Sequence, residues 1–156
     1  MHLSVFNFNG RKSAEFEAED IMEQAFFDTL AEASFWSSIG KSIKKKYRKS
    51  QNFRSKISMC TRKANELEEQ DAADYVMDNF VNPLFEDFVK LNILGIHGME
   101  TRYIQRVQKV KQIDEHEALE SFIDFFSILY TFTVFIEVEN VTGKEFYLDS
   151  YIESLS

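Results

Sequence analysis

The chain has 156 residues, 44% of them hydrophobic, and a formal net charge of −8. A length of this order makes one domain, able to bury about 68–70% of its unfolded surface without covalent staples. The lone cysteine, Cys60, excludes an internal disulfide and a cysteine zinc site, and five glycines and one proline are few for a fold of many tight turns.

Sixteen Phe, six Tyr and one Trp supply ample core material. The N-terminus lacks the basic and long apolar regions of a signal peptide, so a cytoplasmic location is expected. The most apolar stretch, residues 125–136, lies between Asp124 and Glu137 and falls short of the roughly 20 residues a membrane span needs, so no membrane partner is expected.

The charge is unevenly spread. Residues 33–65 hold ten of the eighteen basic residues and no Asp or Glu, a local charge of +10. The rest carries eight basic and twenty-six acidic residues, or −18. Such a split speaks to partners rather than to fold.

In chain order, residues 1–12 suggest a short extended segment ending in the turn pair Asn9-Gly10. Ser13 is placed to cap a helix over 14–39, with Ala18, Met22, Ala25, Phe26, Ala33 and Trp36 on its inner face. Gly40 interrupts the pattern, and Ser50 with its neighbours marks a break. Phe53, Ile57, Cys60, Ala64 and Leu67 then form the cleanest helical stripe, predicting a helix over 51–70 in which Cys60 is a buried hydrophobe. Asp71 is the expected cap of a helix with Ala73, Val76, Met77 and Phe80 inward, ending near Asn82 because Pro83 disfavours helical geometry before it. Pro83 opens the next helix, and Gly95 is expected to stop it. With Gly98 in the linker, Met99, Tyr103, Val107 and Val110 mark a further helix whose other side carries Arg102, Arg106 and Lys109 as a solvated face. Asp114 caps the next, with Leu119, Phe122, Ile123, Phe126, Leu129 and Tyr130 on one face.

Residues 131–139 read two ways. At a period of 3.6 they extend a buried helix; at a period of 2, Phe132, Val134, Ile136 and Val138 alternate as in a strand. The helical reading is favoured, with Thr142-Gly143-Lys144-Glu145 as a capping box for a last helix. The expected fold is a single all-α domain over 1–156, a bundle of about six helices. The alternative is an α+β fold with a hairpin around 131–148 and a short N-terminal strand.

No linear motif identifies a reaction. None of the glycines forms a phosphate loop, no Gly-x-Ser-x-Gly elbow exists, and the pairs His97/Glu100 and His116/Glu120 miss both the Glu-x-x-His and the zinc-protease patterns. The expectation is a non-enzyme with no metal, cofactor or catalytic residue. Acidity steers a domain onto basic partners, a profile shared by small bacterial immunity proteins and antitoxins, although as a profile and not a motif. The leading expectation is an inhibitor of that type, neutralising a basic toxin such as a nuclease by covering its active site. The contact surfaces would be Glu66, Glu69, Asp71, Asp74 and Asp78 together with Asp114, Glu117, Glu120 and Asp124. The alternative is a nucleic-acid-binding or transcription-regulatory protein using segment 41–63: Lys44, Lys45, Lys46, Arg48, Lys49 and Arg54 for phosphates, Tyr47 for stacking. A third reading of this segment is that it docks on the protein's own acidic helices.

Overall fold

The computed structural model describes residues 17–155 and is all-α there. Eight α-helices follow one another: α1 (Glu17–Glu32), α2 (Phe35–Lys49), α3 (Gln51–Asn65), α4 (Glu69–Val76), α5 (Asn82–Lys90), α6 (Ile96–Val110), α7 (Glu115–Thr142) and α8 (Leu148–Leu155). A π-helical turn, Met77–Val81, joins α4 to α5. The expected N-terminal strand and the Ser13 cap lie outside the described residues.

The 28-residue α7 is the axis. Its N-cap, Asp114, accepts a hydrogen bond from the Glu117 N–H at 2.7 Å. Around its first half, Phe122 meets Phe26 of α1 and Tyr103 of α6. Further along, Phe126 meets Phe35 of α2 and Phe85 of α5. At the far end, Phe135 meets Phe146 and Tyr151 of the C-terminal segment. Almost every residue of 128–135 is therefore buried. The hairpin alternative for 131–148 is excluded, since 131–142 continues α7. The β-branched residues that suggested a strand are satisfied inside the helix. Thr131, Thr133 and Thr142 donate to the carbonyls four residues earlier, at 2.9, 2.8 and 2.7 Å.

Among the described residues α7 is the one helix long and apolar enough to cross a membrane, because it extends well beyond 125–136; 61% of its most apolar window is buried inside the protein. Here it is the core helix of a bundle.

Several boundaries differ from expectation. The helix over 14–39 is two helices, because Ser34 adopts left-handed geometry (φ 55°) and turns the chain between α1 and α2. The turn sends Phe35 and Ile39 inward and leaves Trp36 41% exposed. Gly40 interrupts nothing; it is buried inside α2. Ser50 caps α3, accepting from the Phe53 N–H at 3.1 Å, but α3 ends at Asn65 rather than near 70. Asp71 is not a cap, since α4 starts at Glu69.

Pro83 does not end the preceding helix either. Asn82 stays helical (φ −64°, ψ −46°), and its N–H reaches back five residues to the Met77 carbonyl. The wider π turn accommodates a proline that an unbroken α-helix would not. Beyond α5, Asn92 (φ 51°) closes the helix, with the Asn92 N–H on the Val89 carbonyl and the Ile93 N–H on the Phe88 carbonyl, both 2.9 Å. Gly95 is thereby free to act as the N-cap of α6 (φ 60°), and Gly98 lies within that helix. Gly143 (φ 70°) closes α7, and Thr142 accepts from the Lys144 N–H instead of opening a capping box; α8 begins only at Leu148.

Candidate partner-binding surfaces

Two charged surfaces of opposite sign come from neighbouring parts of the fold. The acidic one is built on α4. Ala72, Ala73 and Val76 point inward, so Asp71 and Asp74, and Asp78 in the following π turn, point to solvent on the other side; Glu69 begins the inward side but is exposed at the open start of the helix, as is Glu66 just before it. Glu69 and Asp71 sit in the first turn, where the helix dipole favours carboxylates. Asp74 and Asp78 lie further in and have no such support. Among the described residues this set makes one ion pair, Lys63 to Glu66 at 3.7 Å, with both side chains more than half exposed. Its contribution is small. Gln70 donates to Asp74 at 3.2 Å.

Next to this face is a groove of about 870 Å³, lined by Leu67, Glu68, Glu69 and Asp71 on one side and by Ser150 and Glu153 of α8 on the other. Glu68, Ser150 and Glu153 were not foreseen from sequence. Nothing local links residues 67–71 to residues 150–153. They meet because Phe146 packs on Phe80 and Tyr151 on Phe132, pinning α8 beside α4.

The second expected acidic set is placed elsewhere. Asp114, Glu117, Glu120 and Asp124 are exposed on the first three turns of α7, the half that packs on α1 and α6. Asp114 serves as the N-cap, and Glu120 pairs with His116 at 3.0 Å. The two acidic sets therefore sit on separate helices, α4 packing on α3 and α8 and the start of α7 on α1 and α6. Among the described residues no three His, Cys, Asp or Glu side chains converge as a metal site would require.

The basic surface is narrower than the sequence suggested. On α2, Ile39, Gly40 and Ile43 face inward, and Lys41, Lys44, Lys45, Arg48 and Lys49 are exposed. Lys46 and Tyr47 are half-buried, with Tyr47 packed against the core. Phe53 is buried in α3. Arg54 is engaged internally: its Nη1 donates to the Tyr47 carbonyl at 2.5 Å and the Arg48 carbonyl at 3.1 Å, and its Nη2 to Gln51 at 2.9 Å. It thus closes the C-terminus of α2, where a cation is favoured by the helix dipole. The exposed cations of α2 have no carboxylate partner among the described residues. The segment does pack on the protein's acidic helices, α2 on α7 and α3 on α4, but it does so through apolar faces and not through the exposed cations of α2.

Arg102 and Arg106 are not a solvated face either. Arg106 donates to Thr29 at 2.8 Å and pairs with Glu32, and Arg102 lies 3.9 Å from Glu32, tying α6 to α1. Cys60 is buried, and burial pushes its thiol up to about 11 against the opposing field of Lys56. At neutral pH it carries no thiolate. The Tyr130 phenol is also pushed upward, first by burial and then by Asp87, and its hydroxyl has no hydrogen-bond partner among the described residues.

Comparison with known proteins finds no matching family model, no matching curated protein and no matching solved structure.

Proposed function

We propose that the protein is a stoichiometric binder of the immunity or antitoxin type, which neutralises a basic protein such as a toxin nuclease by covering its active site. One observation supports this reading: the exposed carboxylates along α4 and its two flanks, with a single cationic partner among the described residues, beside the groove that α8 completes. Unneutralised surface charge of one sign steers a partner of opposite sign and raises its association rate. A concave neighbour gives a lysine or arginine side chain somewhere to seat. In this reading the protein works by occlusion, without turnover, metal or cofactor, in the cytoplasm of the bacterium that makes it. The acidic turns at the start of α7 are a second, weaker contact, since Asp114 and Glu120 already have roles within the helix.

The test is binding kinetics against the protein encoded by the adjoining reading frame. A complex is expected whose association slows steeply with added salt. Glu69→Lys with Asp74→Lys should slow association at least tenfold while dissociation changes little. Absence of a complex, or kinetics indifferent to both salt and charge reversal, overturns the reading.

A further inference from the structure

The exposed cations of α2 lie on a different helix from the acidic face and take no part in the proposed inhibition. At about 100° per residue, Ser37, Lys41, Lys44, Lys45 and Arg48 fall within one arc of about 100°, on the side opposite Phe35, Ile39 and Ile43. Every residue in that arc is a cation or a serine. From Lys41 to Arg48 the stripe runs about 10 Å along a helix whose C-terminus Arg54 holds closed. Four exposed cations along one side of a helix, without carboxylate partners among the described residues, suit a surface with regularly spaced anions.

Three observations narrow the choice of anion. The arc has no apolar residue to insert into a lipid surface. Tyr47 packs against the core, Phe53 is buried, and the exposed Trp36 lies outside the arc with its ring against Phe35, so the arc itself has no aromatic platform on which unpaired bases could stack. Lysine predominates and reads phosphate as a point charge, while no Asn or Gln lies within the arc to read a base edge. We infer that α2 binds the phosphate backbone of double-stranded nucleic acid without reading its sequence, through Lys41, Lys44, Lys45 and Arg48. This goes beyond the proposed inhibition and uses none of its residues.

The experiment is fluorescence anisotropy of the full chain with two short duplexes of unrelated sequence, a single strand of equal length, and vesicles containing phosphatidylserine. With about four phosphates neutralised, log K should fall against log salt with a slope of about −3.6, roughly a 100-fold loss between 50 and 200 mM. Both duplexes should bind alike and the single strand more weakly. Lys45→Glu with Arg48→Glu should weaken duplex binding at least tenfold, with helical circular dichroism retained. The control, Lys90→Glu with Lys109→Glu, changes the net charge equally on exposed sites of other helices and should change binding less than threefold. No duplex binding at low salt overturns the inference. So does tighter binding of the single strand, capture by vesicles without duplex binding, or an equal loss in the control.

Discussion

The carboxylate of Glu137 on α7 lies directly over Gly40 of α2. A Cβ placed on that glycine would stand 3.3 Å from both Cδ and Oε2 of Glu137. Gly40 is buried mid-helix, where glycine costs about 1 kcal/mol relative to alanine. It is therefore present for closeness, not for backbone freedom. Gly40→Ala should leave stability within about 1 kcal/mol of the parent, because the gain in helix propensity offsets a small displacement of a side-chain end. Gly40→Leu should cost about 2–3 kcal/mol by forcing α2 from α7. Urea unfolding midpoints check both; equal midpoints for the two variants would refute the close-approach account.

Phe80 stands between Phe53 of α3, with ring centres 5.8 Å apart, and Phe146 beyond α7, at 4.9 Å. It is 1% exposed. Phe80→Ala should cost about 3–5 kcal/mol. Because Phe146 helps to hold α8 beside α4, Phe146→Ala should also raise hydrogen exchange in α8 before the rest of the chain unfolds. Uniform exchange throughout would contradict the placement of α8.

Arg54 closes α2 with two hydrogen bonds to carbonyls. Arg54→Met should cost about 1.5–3 kcal/mol, the usual worth of hydrogen bonds from a charged donor. The charge-reversed pair Lys45→Glu with Arg48→Glu should stay within about 1 kcal/mol, since those side chains face solvent. Thermal unfolding of the two variants separates a structural arginine from surface cations.

Asp114→Ala removes the oxygen that accepts the Glu117 N–H and should cost about 1 kcal/mol; Asp114→Ser should recover most of it. The comparison is read from denaturant midpoints.

Cys60 gives a pH dependence whose sign follows from its raised thiol, pushed from 9.0 to about 11 by burial. The folded state holds this proton more tightly than the unfolded state. The associated stability is complete below the unfolded value and is lost as pH rises from about 9 towards 11. Cys60→Ala removes this component, so the difference in melting temperature between parent and variant should narrow or reverse over that interval. Subtraction cancels Tyr103 and Tyr130, which shift in the same direction. A constant difference would refute the buried thiol.

Local signals in the sequence determined which stretches are helical and most of the residues that turn inward, but Trp36, Val110 and Ile123, expected on inner faces, are exposed. Ser50 and Asp114 are caps by their own hydroxyl and carboxylate chemistry, and the stripe from Phe53 through Ala64 is buried as its spacing requires. The positive and negative charge blocks were also legible, since charge is a property of composition. Tertiary structure decided what neighbours supply. Residues 131–142 are helix because Phe135 finds Phe146 and Tyr151, and because each buried threonine satisfies its hydroxyl within the turn. The π turn keeps the chain helical up to Pro83, and Gly95 caps α6 because Asn92 has already closed α5. Arg54 leaves the exposed basic set because carbonyls seven and six residues earlier claim it. The acidic groove exists only because α8 returns to α4 across some eighty residues of chain. Helical periodicity and capping act over a few residues and are written locally; the contacts that choose between competing local readings are made by residues far apart in sequence.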